Sequence, residues 1–191
     1  MEYFRFVAAI VELLVGCEAR YAIGGSLASS VYGEIRSTYD VDLTLHISPA
    51  KVETFVKEVT AHGWYVSPES VLKAVQNGGG FQVIDGEHGL QAHFFCVTPP
   101  TPTPRQRRSL ERARPMPYGD GGQTAMVMSP EDVILYKLEW YMLGKSEKHL
   151  RDIGPMLANT IDFEYIDRWV HEVNADEPWQ NLKRKHRKSD D

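Results

Sequence analysis

Residues 24–42 constrain this chain more than any other stretch. A short, mostly apolar run at 20–23 ends in Gly24-Gly25-Ser26, and Asp40-Val41-Asp42 leads into a second run where Leu43, Leu45 and Ile47 alternate. A strand that runs into paired glycines must turn sharply, and the alternation predicts a second strand over 41–47. Side chains repeat every second residue along a strand, so Asp40 and Asp42 share one side. A glycine turn at a helix N-terminus lets backbone amides face an anion, and the serine hydroxyl adds a donor. Paired carboxylates supply oxygen ligands of the kind Mg²⁺ takes while it keeps water and phosphate on its other positions. One loop therefore brings together an anion grip and a cation grip.

The rest of the pattern is mixed α/β first and all helix afterwards. Phe4, Val7, Ala8, Val11, Leu14 and Val15 recur at helical spacing. Ser26 is placed to cap a short helix that Gly33 ends. A helix is predicted from Pro49, a short strand at 64–66, a helix over 67–76, and a hairpin of 81–84 with 90–97. Pro99, Pro100, Pro102 and Pro104 then predict a rigid extended connector. A strand is expected at 124–128. Ser129-Pro130 with Glu131 and Asp132 is a strong helix start, and Gly144 is expected to close that helix. Further helices are predicted at 146–157 and 163–173. The expected organisation is an α/β (α+β) core over 1–128, a mixed sheet with flanking helices. A C-terminal helical region over 129–191 packs on it, with a basic tail from about 183.

Composition limits the alternatives. With 191 residues, 42% hydrophobic and 25% charged, the chain can bury a core without metal or disulfide staples. Cys17 and Cys96 have no metal-type spacing, which argues against zinc and for buried thiols in a reducing compartment. No stretch reads as a signal peptide or a membrane span, so a cytoplasmic location is expected. The net charge of −5 conceals two basic clusters, Arg105, Arg107, Arg108, Arg112 and Arg114, and Lys183, Arg184, Lys185, Arg187 and Lys188. Such clusters either bind phosphate-rich partners or form a solvated face. Trp140, Tyr141 and Trp169 fall at helical positions and read as core rather than stacking platforms.

Residues Gly24 to Ser30 followed by Arg36 to Leu43 resemble the DNA polymerase β-like nucleotidyltransferase superfamily, in which a Gly-Ser turn precedes an Asp-x-Asp pair. Ser129-Pro130-Glu131-Asp132-Val133-Ile134-Leu135-Tyr136-Lys137-Leu138 and Lys148-His149-Leu150-Arg151-Asp152-Ile153 are similar to its small bacterial and archaeal branch. That branch includes toxin-like members of abortive-infection and toxin–antitoxin systems. The resemblance implies metal-dependent transfer of a nucleoside monophosphate from a nucleoside triphosphate to an acceptor hydroxyl on tRNA, protein or a small molecule. Gly24, Gly25, Ser26, Arg36 and Lys137 would then bind nucleotide, and Asp40 and Asp42 would hold Mg²⁺ or Mn²⁺. RNA, tRNA or a cognate protein are the implied macromolecular partners.

One departure matters. The branch supplies a third carboxylate in a pattern like Gly-Leu-x-Val-Asp-Phe-Phe, and this chain reads Gly89-Leu90-Gln91-Ala92-His93-Phe94-Phe95. Three readings follow. His93 is a ligand or general base, with a shift towards softer ions. Asp85 reaches the site instead. Or the catalytic set is incomplete, and the chain is a degenerate member that binds nucleotide or serves as a regulatory or toxin–antitoxin subunit.

Overall fold

The computed structural model describes residues 2–35, 37–97, 102–118 and 122–187. Arg36, Pro99, Pro100 and Lys188 lie outside them. One mixed sheet organises the described chain. Its order is β3 (Tyr65–Val66), β4 (Gly79–Asp85), β5 (Leu90–Cys96), β2 (Asp40–His46), β1 (Arg20–Ile23), β7 (Gln123–Val127) and β6 (Arg114–Tyr118). The fold class is thus the mixed α/β arrangement that the sequence predicts.

Register follows from alternation. Val41, Leu43 and Leu45 of β2 are buried on one face, where α1 (Glu2–Gly16), α3 (Val52–Ala61) and α4 (Pro68–Asn77) supply their apolar stripes. Phe55 of α3 meets Phe81 and Phe94 edge-on, with ring centroids 5.6 and 5.7 Å apart, the geometry aromatic quadrupoles favour. A one-residue slip would turn these side chains out and the aspartates in, so burial fixes the placement of Asp40 and Asp42.

Helices α2 (Gly25–Tyr32), α6 (Pro130–Gly144) and α7 (Glu147–Met156) gather near the other side of β2. Ser129 caps α6 as expected, its Oγ accepting from Asp132 N at 3.2 Å, and Ser67 does the same for α4, its Oγ accepting from Ser70 N at 3.2 Å. Ser26 does not cap α2. The helix begins at Gly25, so Ser26 already lies in its first turn. Helix α6 does end at Gly144, as expected, but the left-handed cap falls one residue later, on Lys145 at φ 52°.

The connector also departs from expectation. Its end forms α5 (Pro104–Glu111), because Thr103 and Gln106 make a capping box around Pro104 at the first position: Thr103 Oγ1 accepts from Gln106 N at 3.3 Å, and Gln106 Oε1 accepts from Thr103 N at 3.0 Å. Arg105, Arg108 and Arg112, three and four residues apart, fall on one side and face inward. Arg105 pairs with Glu139 and lies over the Tyr136 ring. Arg108 reaches Glu172 at 2.9 Å and stacks 3.9 Å over Trp169. Arg112 reaches Glu131 at 2.8 Å and Asp132 at 3.3 Å, 3.9 Å over Tyr165. These three arginines bolt α5 to α6, to α8 (Phe163–Trp169) and to the 3₁₀ turn Val170–Val173. Arg108 and Arg112 are thus committed to packing, Arg105 also lines the cavity described below, and Arg107 and Arg114 remain exposed.

A final helix, α9 (Asp176–Arg187), was not anticipated. It buries Trp179 and Leu182, and Trp179 Nε1 donates to Asp167 at 2.6 Å. Lys183 also donates to Asp167, at 2.6 Å. The basic residues 184–187 therefore form the last turn of a helix, where cations suit the dipole.

Candidate active site

The end of β1 and the start of β2 are joined through the backbone: Gly24 N donates to Asp42 O at 2.8 Å. Gly25 follows at φ +59°, and a Cβ built there would come within 1.9 Å of Asp42 Oδ2. Only glycine lets the first turn of α2 lie this close to the carboxylate. Asp40 is steadied from two sides. Tyr3 donates to its carbonyl at 3.0 Å, and Thr38 Oγ1 donates to its carboxylate. Burial and the nearby charges of Asp40 and Asp42 push the Tyr3 hydroxyl well up.

His93 stands beside Asp42 because β2 and β5 run parallel in register, with Asp42 opposite His93 and Asp40 opposite Gln91. His93 Nδ1 lies 3.4 Å from Asp42 Oδ1, and Nε2 lies 3.2 Å from Gln91 Oε1. The hydrogen bond to Asp42 raises the imidazole pKa against a burial effect that lowers it. The position to which the resemblance assigns a third carboxylate thus lies beside Asp42, and it carries a histidine already engaged with that aspartate. Asp85 is not at the site. It is buried at the far end of the hairpin, where it accepts from Glu87 N at 3.1 Å, from His88 N at 3.3 Å and pairs with His88 Nδ1 at 2.8 Å. The reading in which Asp85 restores the third acid is corrected.

A cavity of about 520 Å³ opens over Gly24–Ser26, Asp40 and Asp42. Lys137 lines it from α6, almost fully buried, and donates to Asp152 Oδ2 of α7 at 2.7 Å. Arg36, between the two motifs, lies outside the described residues. Sequence reasoning missed much of the remaining wall, including Phe95, the Gly79–Gly80 pair, Tyr136 and Glu139. Trp140 is corrected from core to cavity wall, being 48% exposed. A clue was present, since apolar residues run all round 133–143 and cannot all face one core.

Asp40 and Asp42 offer oxygen donors from one strand face, which suits a hard divalent cation completed by phosphate and water. Among the described residues no group of three or more His, Cys, Asp or Glu side chains forms a metal cage. A cation here would need substrate oxygens to complete its shell. Also among the described residues, no helix is long and apolar enough to cross a membrane.

No family model matches this sequence, and no curated protein is similar to it. Its structure is similar to solved ones. ANT(2")-Ia in complex with adenylyl-2"-tobramycin has a TM-score of 0.62 at 14% identity, over 91% of this chain and 97% of that one. An antigenic nucleotidyltransferase-like protein from Paracoccidioides brasiliensis has a TM-score of 0.57 at 18% identity, over 95% and 93%. The lincosamide antibiotic adenylyltransferase LnuA, lincomycin-bound, has a TM-score of 0.55 at 13% identity, over 81% and 96%. Identities this low speak for architecture alone, and on that ground the chain has a nucleotidyltransferase-like fold.

Proposed function

We propose that this protein is a metal-dependent nucleotidyltransferase that moves a nucleoside monophosphate from a nucleoside triphosphate to an acceptor hydroxyl. The observation that carries the reading is the packing of the Gly25 turn against Asp42, with Asp40 beside it in one cavity. In the reaction the acceptor oxygen bonds to the α-phosphorus, the bond from that phosphorus to pyrophosphate breaks, and the hydroxyl proton leaves to His93 in its neutral form. The amides at Gly25 and Ser26, with the Ser26 hydroxyl, grip the triphosphate. Lys137, held by Asp152, faces the phosphates from α6. Asp40 and Asp42 hold the cation, Mg²⁺ or Mn²⁺, which supplies charge neutralisation at the phosphates. We favour a small-molecule acceptor over tRNA or a partner protein, as in the tobramycin and lincomycin complexes of ANT(2")-Ia and LnuA, and the ion pairs of Arg105 and Arg108 weaken the ground for nucleic acid.

One observation favours a second reading. His93 replaces a carboxylate and is bonded to Asp42, which suits a protein that retains nucleotide without turnover, as a regulatory or toxin–antitoxin subunit. Incubation with α-labelled nucleoside triphosphates and pools of RNA, protein and small hydroxyl compounds separates the two. Transfer of label by the wild type and not by Asp42→Asn is expected. ATP binding without any transfer would establish the second reading.

A further inference from the structure

Resting on that reading, the far half of the cavity points to a class of acceptor. In an in-line displacement the attacking and leaving oxygens lie on opposite sides of the phosphorus. The glycine turn that grips the leaving pyrophosphate sits at the end of β1, so the acceptor enters beyond Asp42, over β5 and β4. There a single cross-strand row runs Thr44, Phe95, Gly80. Phe95 is 42% exposed, and Trp140 and Leu143 of α6 are 48% and 72% exposed in the same cavity. Large apolar side chains left open together in one cavity mark a binding surface, where single scattered ones do not.

The charges of this wall select further. Besides Asp40 and Asp42, its carboxylates among the described residues are Glu139 and Asp152, and each already faces a cation, Arg105 and Lys137 respectively. Lys148 adds a third cation. With Asp40 and Asp42 given to the metal, a polycationic acceptor finds no carboxylate among the described residues of this cavity without a cation already beside it. We infer that the acceptor is an uncharged, hydroxyl-bearing compound with an aromatic or apolar body, such as an aryl glycoside, whose body lies against Phe95 and Trp140. Its hydroxyl oxygen forms the new bond to the α-phosphorus as pyrophosphate leaves with the broken bond, and its proton is released.

The test uses full-length protein without nucleotide. A set of uncharged aryl glycosides, phenyl β-D-glucopyranoside first, is titrated by calorimetry, with kanamycin as the polycationic probe. Trp140→Ala and Phe95→Ala are compared with the wild type, and the aryl glycoside titration is repeated at saturating ATP and Mg²⁺. The expected result is aryl glycoside binding that both variants weaken by about tenfold or more, that ATP does not displace, and that kanamycin does not reproduce. Tighter binding of kanamycin, failure of every aryl glycoside, indifference to both variants, or displacement by ATP would each overturn the inference. Absence of ATP binding in the parallel titration of the wild type would count against the nucleotidyltransfer reading instead, so the two failures are distinguishable.

Discussion

The carboxylate of Asp42 rests against Gly25, so that a Cβ there would lie 1.9 Å from Asp42 Oδ2. In the proposed site this contact joins the turn that would grip phosphate to the carboxylates that would hold the cation. Gly25→Ala should therefore do two things. The left-handed backbone alone costs a non-glycine residue about 1–2 kcal/mol, and the methyl must also displace Asp42. Urea unfolding should register at least that loss, and calorimetry should show ATP affinity falling by about tenfold or more. Wild-type affinity in a folded Gly25→Ala protein would mean that the contact has no part in binding.

His93→Asp restores the third carboxylate. If the natural protein binds without turnover, the variant should hold Mn²⁺ more tightly in the presence of ATP and acquire label transfer. If His93 takes the acceptor's proton, the variant should instead lose transfer by about a hundredfold or more. Single-turnover transfer assays on both proteins decide between them.

Arg112 stands between Glu131 and Asp132, and both carboxylates are buried. Arg112→Ala leaves them without their guanidinium, a loss of about 3–5 kcal/mol where a buried ion pair loses one partner. Burial already raises the Asp132 pKa against hydrogen bonds from Tyr165 and Ser129 and the charge of Arg112. Removing Arg112 raises it further. A carboxyl group whose folded pKa exceeds its unfolded one binds its proton more tightly when folded. Its favourable contribution is complete below the unfolded pKa and disappears as pH rises through the folded one. The deficit of Arg112→Ala should therefore shrink on acidification from neutral pH, read as thermal midpoints across a pH series. A deficit independent of pH would place the loss elsewhere.

At the hairpin end, His88 follows the same pattern as Asp132 and Asp85 the opposite one. The Asp85 bond raises the His88 pKa, and the His88 contacts lower that of Asp85. The histidine contributes stability below its ordinary pKa and loses it as pH rises through the raised value. The aspartate contributes above its ordinary pKa and loses it as pH falls through the lowered one. NMR titration should find the His88 pKa above the usual histidine value and returned towards it in Asp85→Asn. An unchanged His88 pKa in that variant would refute the pairing.

Local patterns were legible where one principle governs them. The strand alternation around Leu43 and Leu45, the serine-proline starts at Ser67 and Ser129, and the Gly24-Gly25 turn all lie in short windows, and so did the juxtaposition of Asp40 with Asp42. The position of His93 opposite Asp42 depended on a parallel pairing of β2 with β5, and the motif resemblance supplied it. The acceptor wall was hidden because Phe95, Gly80 and Trp140 come from distant elements that only packing brings together. The arginines of α5 were misread because charge alone does not show direction. Glu139, Glu172 and Asp132, which turn them inward, lie 20 to 64 residues further on. The Thr103–Gln106 capping box, however, was present in the sequence and outweighs the prolines around it.

In the proposed function the Gly25 turn and the Asp40–Asp42 pair together hold a metal–nucleotide complex. Calorimetric titration of ATP, with Mg²⁺ and separately with Mn²⁺, into wild-type and Asp42→Asn protein tests it most directly. Saturable, metal-dependent binding to the wild type and a loss of about tenfold or more in the variant are expected. Binding with neither metal, or equal binding to both proteins, would contradict it.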